Sequence, residues 1–484
     1  MNIVSLFDEL AKGIFSAEEK FLQNPKDFHS LETSVKTSTE SFAAKFLGAV
    51  LSDLDAHIRN GSWREGKYTV HRQDSRTVIS SVGDITFDCT YYRGIRDRDG
   101  FTHLLEDMIG LDRNERFTEA AEVVLLTEAM KKSYQEAADI LHSRQKITKT
   151  TVMNKVHGIA DEIPDTVCEK KKTVPYLFIE ADEDHIAEQH GKAADKEQNK
   201  SFISRLAYIY EYKKETPVKG RYELVNKYYF GGLYPGTEGT KQLWEKMNRF
   251  IDQNYEYDAI RRIFISGDGA GWIKSGASIL NKAVFCADKY HIMQYLNAAA
   301  AQMLDEKEAV KADLWHILYS KSKHPKERFD AYTARMMNSA RNPETVEQFR
   351  AYVLGNWSAV RRALRNRIVT GCSAESHVSH ILSDRMSSRP MGWSQTGADR
   401  MSKLRCYEQN HGREKLVELV RYSRKQRRLA ATGTEDFTAE SFSMKDIMCD
   451  HYDQARSYIE RMQVHFPDGS AKKIIAIRNR LGEL

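Results

Sequence analysis

The spacing of apolar residues divides the chain before any single residue type is considered. From Met1 to about Asn60 they recur at three and four positions (Leu6, Leu10, Ile14, then Phe42, Phe46, Leu47, Val50, Leu54), so 1–60 reads as a helical lead-in. Between Lys67 and Tyr92 the period drops to two, with β-branched and aromatic residues alternating around Gly83-Asp84. The region 61–100 therefore reads as a small antiparallel sheet built on a hairpin. Helical spacing returns over Arg116–Ala160. Inside 101–170, the segment Ser133–Leu141 with its paired Ala137 and Ala138, a polar link, and Ile147–Val156 follow the pattern of a helix-turn-helix. The same features also occur in ordinary helix pairs. If the pattern is a DNA reader, Lys149, Thr150, Thr151 and Lys155 on its second helix are the contacts.

From Lys172 the order of elements carries more information. Val174–Asp182 reads as a buried strand ending in acids, and Arg205–Tyr212 and Leu224–Gly232 as two more strands. Thr240–Asn254 has helical spacing, and Arg262–Asp268 and Ala283–Asp288 are further buried strands. This is an α/β chain whose βββαβαβα order fits the layout of an RNase H-like core, though element order alone does not single that fold out. The expected division is a first part of the core at 171–291, a helical insertion at 292–355, a last part of the core at 356–430, and a mixed tail at 431–484 with a final basic helix-like run.

Composition narrows the class. The 484 residues are 41% hydrophobic and 29% charged, and no apolar run approaches the roughly 18 residues of a bilayer-spanning helix. The amino terminus carries acids where an export signal carries bases, and six scattered cysteines form no C-x-x-C pair. A cytoplasmic protein without a zinc ribbon or disulfide scaffold is expected. The net charge is only +5, but between Arg361 and Arg428 sixteen Lys and Arg stand against six acids, a local excess suited to a phosphate backbone. A solvated helix surface would have the same composition.

Three elements end in, or expose, an acid where they would meet solvent: Asp182, Asp268 and Glu375. Acids at the ends of neighbouring buried strands converge, and such a set can hold two Mg²⁺ ions about 4 Å apart, with Mn²⁺ as a substitute. Each acid taken alone is more simply a solvated strand end. Glycines on both sides of Asp268 let the backbone turn sharply and leave its carboxylate open. A phosphate-cradling loop is excluded, because Lys274-Ser275 follows Trp-Ile rather than glycine. Asp288 and His291, three apart after a strand, are by themselves the mark of a satisfied half-buried histidine. One strand beyond a metal-binding aspartate, they could orient a phosphate or donate a proton.

Four blocks, Phe178–His185, Ser266–Lys274, Ala287–His291 and Gly371–Val378 with its continuation Arg385–Trp393, resemble the ISLre-type insertion-sequence transposases, relatives of the Mutator-like DDE enzymes. The resemblance spans nearly the whole chain. It implies a catalytic triad of Asp182, Asp268 and Glu375, a D-x-x-H element at Asp288 and His291, and a helical insertion before the last acid. Glu180 and Asp184 alternate with Asp182 and leave the first ligand open among the three, and Asp384 neighbours Glu375. Arg385, Arg389, Arg424, Lys425, Arg427 and Arg428 are the expected phosphate contacts. Trp357 and Trp393 either stack on an unpaired base or pack in the core. The implied partners are double-stranded DNA, as element ends and target, and a second copy of the chain, since two ends must meet. The implied location is the nucleoid. A structure-specific nuclease on the same core, or a helix-turn-helix regulator with an inactive core, are the rival readings.

Overall fold

The structure is a computed structural model that describes residues 3–61, 66–95, 100–189, 200–218, 221–389 and 391–432. The basic tail expected within 431–484 lies almost wholly outside the described residues. The chain divides into two compact units. One comprises Met1–Val124, Asp139–Ile147 and the chain from Arg427; the other comprises Leu125–Ala138 and Thr148–Gln426.

In the first unit, α1 (Ile3–Gln23) and α2 (Phe28–Asn60) form a helical hairpin joined by the contact of Phe7 with Phe42, whose ring centroids are 5.1 Å apart. Strands β1 (Tyr68–Ser80) and β2 (Gly83–Gly94) pair antiparallel across a two-residue turn, with Gly83 at φ 112, and β3 (Phe101–Thr102) adds a short edge before α3 (Leu104–Ile109). Helix α2 lies directly on β2. Gly48 allows that approach, because any side chain there would collide with the Thr86 carbonyl, and buried Asp55 accepts a hydrogen bond of 2.8 Å from the Thr90 amide.

Helix α4 (Glu119–Ala129) leads to the helix pair α5 (Tyr134–Ala138) and α6 (Lys149–His157). Local chemistry explains both starts. Ser133 and Glu136 form a reciprocal capping box, with the Ser133 amide donating to the Glu136 carboxylate at 2.9 Å, and the Thr148 hydroxyl accepts from the Thr151 amide at 3.2 Å. The connection expected to be tight runs over 139–148, longer than the three- or four-residue turn of a DNA-reading helix pair.

The second unit is built on a five-stranded mixed sheet. Its strands are β4 (Tyr176–Ala187), β5 (Ser201–Tyr210), β8 (Tyr228–Gly232), β9 (Arg262–Gly267) and β10 (Ala283–Ala287), in the spatial order β10-β9-β4-β5-β8. β4, β9 and β10 are parallel, and β5 runs antiparallel to both its neighbours. A separate hairpin, β6 (Tyr212–Glu215) and β7 (Tyr222–Val225), precedes β8. The run expected as one strand over Leu224–Gly232 is thus divided, because Asn226 adopts a left-handed φ of 54° that breaks the extended backbone. The first strand does not end at Asp182 either. Its pairing with β5 continues to Ala187, whereas its pairing with β9 stops at Glu180.

Alternation along β4 separates two environments. Leu177, Ile179 and Ala181, with Ala207 and Ile209 opposite, join the apolar core formed with α7 (Gly236–Asn254) through Leu243, Trp244 and Met247. Helix α8 (Gly271–Ile279) packs closely on α7 at Gly276, and the indole of Trp244 donates to the Trp272 carbonyl at 2.8 Å. The same core continues through α9 (Lys289–Ala300), α10 (Lys307–Tyr319), α11 (Pro325–Ser339), α12 (Pro343–Gly355) and α13 (Trp357–Arg365), the helical stretch expected from 292 onward. The opposite face of β4 meets α14 (Ala374–Val378), a π turn at Ser379–Ser383 and α15 (Asp384–Met386). Beside them α16 (Gln395–His411) packs on β5 and β8, with Ser402 2.8 Å from Ser204, and α17 (Leu416–Thr432) follows.

Candidate active site

Glu180, Asp182 and Asp184 point to that opposite face, and the structure gives each a different surrounding. Glu180 is 1% exposed and saturated. It accepts hydrogen bonds from the Tyr208 hydroxyl, the Tyr210 hydroxyl at 2.7 Å, the Lys213 ammonium at 2.9 Å, and the amide and hydroxyl of Ser373 at 2.7 and 2.9 Å. Burial alone would raise its pKa, but Lys213 and the hydroxyl donors outweigh it and hold the carboxyl below its ordinary range. Asp184 takes the Ser387 hydroxyl on both oxygens at 2.9 Å, and burial pushes its pKa up. Among the described residues, Asp182 accepts only from the neighbouring Glu183 amide, at 2.9 Å. Burial, reinforced by the charge of Asp268 and opposed by that amide, lifts its carboxyl to about 6.

Asp268 reaches Asp182 because β9 ends where β4 continues. Gly267 closes the approach, since an added Cβ would stand 2.7 Å from the Ala181 carbonyl. Asp268 then turns the chain by accepting from the Ala270 amide at 2.8 Å, with Gly269 at φ 104. One strand further, the Asp288 amide donates to the Gly267 carbonyl at 2.9 Å, and its carboxylate caps α9 at Tyr290 while holding His291 Nδ1 at 3.0 Å. That hydrogen bond raises the pKa of His291 against the opposing effect of burial, and Asp268 and Asp182 add to the rise. Asp182, Asp268, Asp288 and His291 thus form one cluster. Glu183 is turned away to the Trp272 indole at 2.6 Å, over which the Arg205 guanidinium stacks at 5.0 Å.

The helical region adds a group that no sequence pattern marked. Tyr352 on α12 has a buried hydroxyl with no hydrogen-bond partner among the described residues, and Asp288 and Asp268 both bear on it. Its position depends on how α12 folds back beside the Asp268 turn, and spacing along the chain carries no sign of that.

Glu375 lies on α14, and α14 packs on β4, but its side chain is exposed. The charges that bear on Asp182 are those of Asp268, His291 and Glu183. Among the described residues, the set of three potential ligand atoms lying within 4.8 Å of one another is elsewhere, at Cys89, His103 and Glu106, where Arg76 already pairs with Glu106.

Two of the expected phosphate contacts are corrected. Arg385 is 2% exposed: its Nε donates to the Ala129 carbonyl at 2.8 Å, and its guanidinium lies 4.7 Å from the centre of the buried Trp393 ring. Arg424 is equally buried. Both are structural, as is Trp393, whose indole donates to the Met386 carbonyl at 3.1 Å. Trp357 packs against the helical core. Arg428 pairs with Asp112. Lys149, Thr150, Arg389 and Lys425 are exposed, while Thr151, Lys155 and Arg427 are half-buried.

Comparison with known proteins places these features in a family. Residues 21–424 match the profile described as "Uncharacterised protein family (UPF0236)". UPF0236 proteins of Caldanaerobacter subterraneus subsp. tengcongensis are 30% identical over 400 residues, covering 83% of this chain and 82% of the relative, and over 388 residues, covering 80% of each. The first of these carries eleven gene designations under one protein name. Among solved structures, the Drosophila P element transposase strand transfer complex aligns over 73% of this chain and 94% of that one. Its identity is 11% and its TM-score 0.22, too low to bear on fold or function. Among the described residues, no helix is long and apolar enough to cross a membrane.

Proposed function

This chain belongs to the UPF0236 family, and from its site we propose that it is a DDE transposase with an RNase H-like core. The observation that carries the reading is the meeting of Asp182 and Asp268 at adjacent parallel strand ends, with Asp288 and His291 one strand further. The sheet supports it: strands taken in the order third, second, first, fourth, fifth, with the second antiparallel, make up the RNase H-like layout. The shared gene designations support it too, since repeated copies of one coding sequence in a genome are what a mobile element leaves behind.

The donor set fits divalent metal. Asp182 and Asp268 are hard oxygen donors that repel one another, and among the described residues no Lys or Arg pairs with either. Glu375 is the third acid implied by the family resemblance. Two Mg²⁺ ions held there would supply Lewis-acid activation of the attacking oxygen and charge stabilisation of the leaving one. The protein's own groups do the rest. His291, whose pKa Asp288 raises, would donate to a non-bridging phosphate oxygen, and the DNA backbone would lie beside Asp268 at the Gly269 turn. In cleavage, water forms a bond to phosphorus as the bond to the 3′ oxygen breaks and that oxygen takes a proton. In joining, the freed 3′-hydroxyl attacks a target phosphate and the displaced target oxygen leaves. Exposed Lys149, Thr150, Arg389 and Lys425 would meet double-stranded DNA in the nucleoid, with at least two copies of the chain holding two ends.

The test combines purified protein, labelled DNA carrying the sequences that flank its gene, and a plasmid target, with Mg²⁺ or EDTA. Metal-dependent nicking and joining that disappear in Asp268→Asn are expected, with end binding retained. Cleavage without joining would replace the transposase with a nuclease, and binding without cleavage would leave a regulator.

A further inference from the structure

The acids flanking Asp182 on β4 are both committed to one neighbouring segment. Glu180 accepts from the Ser373 amide and hydroxyl at 2.7 and 2.9 Å, at the residue that opens α14. Asp184 accepts from the Ser387 hydroxyl at 2.9 Å, just after α15 ends. Between these fastenings run α14, the π turn and α15, and Glu375 stands one residue inside the first turn. A carboxylate holding such donors in a buried site is strongly directional, and a π turn within a helix often marks a functional position. The Trp393 indole on the Met386 carbonyl and Arg385 on the Ala129 carbonyl brace the far end.

We propose that Glu180 and Asp184 are positioning residues that fasten the two ends of the 373–387 segment to β4 and so set where Glu375 stands relative to Asp182. The link to Glu375 chemistry rests on the transposase reading; the fastening itself does not. Because β4 alternates, the strand that carries the first metal-binding aspartate also fixes, through the residues on either side of it, the helix that carries the third acid.

Two readouts on the full-length chain test this. Hydrogen exchange is followed in peptides covering 372–388 and, as internal reference, in β9 and β10. The Mg²⁺ concentration giving half-maximal cleavage is measured alongside DNA affinity. Ser387→Ala should speed exchange over 380–388 by about tenfold, as expected for losing one hydrogen bond to a charged acceptor. It should also raise the Mg²⁺ requirement and leave β9, β10 and DNA affinity unchanged. Ser387→Thr, which keeps the hydroxyl, should restore both readouts. Ser373→Ala should do the same to 372–379. Exchange equal to wild type, or a rise spread evenly over the whole sheet, would overturn the proposal, as would faster local exchange with an unaltered Mg²⁺ requirement. If the wild type does not cleave at all, the transposase reading falls, while the exchange result still decides whether the segment is fastened as described.

Discussion

Replacing Asp182 by Asn should stabilise the metal-free protein. The carboxyl is lifted from 3.8 to about 6, chiefly by burial and further by Asp268 and Glu183, against the Glu183 amide and the charge of His291. The folded chain therefore binds this proton more tightly than the unfolded chain does. Stability is lost as pH rises from about 4 to about 6 and stays lost above. At roughly 1.4 kcal/mol per pH unit the full difference is about 3 kcal/mol, and partial solvent access to Asp182 reduces it to about 1–3 kcal/mol. Asp182→Asn carries no charge and escapes this cost. Thermal unfolding in EDTA should show the variant melting roughly 1–5 °C above wild type at pH 8 and level with it at pH 4. Mg²⁺ should reverse the order, raising the wild-type midpoint by mass action and leaving the variant unmoved. A variant no more stable than wild type at pH 8 would refute the unrelieved buried carboxylate, and so would a gain that persists undiminished at pH 4.

Glu375→Gln should change stability by less than about 0.5 kcal/mol, because the side chain is exposed, yet abolish metal-dependent cleavage; denaturant melts and nicking assays check both. Asp288→Asn removes the carboxylate charge that helps raise the pKa of His291, so the alkaline limb of the cleavage profile should move to lower pH, which a pH–rate series reads directly. Arg385→Ala should destabilise the fold by about 2–4 kcal/mol without altering the salt dependence of DNA binding, whereas Lys425→Ala should reduce the salt slope by about one, as read in binding titrations at several salt concentrations.

What the chain revealed in advance follows from which interactions are local. Periodicity located the α1–α2 lead-in, the β1–β2 hairpin and the buried strands of the mixed sheet, because each is dictated by neighbours along the chain. Asp182 and Asp268 could be paired on paper because both follow apolar runs that end together in a parallel arrangement. The boundaries were less legible. Only the long partner β5 shows that β4 runs on to Ala187, and only the left-handed Asn226 separates β7 from β8. Basic residues were the hardest to place. Arg385 and Arg424 look like Arg389 and Lys425 in sequence, yet the first two are buried, and Arg385 is matched to the indole of Trp393 and to the Ala129 carbonyl far along the chain.

The three alternating acids of β4 show why composition cannot assign a role to a carboxylate. Glu180, Asp182 and Asp184 share a strand, a face and a charge, and all are at least partly buried. They differ in how many donors reach them. Glu180 meets a lysine, two tyrosine hydroxyls and Ser373, which balance its charge, and Asp184 meets the Ser387 hydroxyl on both oxygens, which offsets part of its burial. Asp182 has one backbone amide, a second aspartate and, more weakly, the charge of His291. An acid so placed is costly to an empty fold, and the cost falls away when a cation arrives. The arrangement suits a site that takes up something positive, and in the proposed chemistry that is the metal the reaction needs.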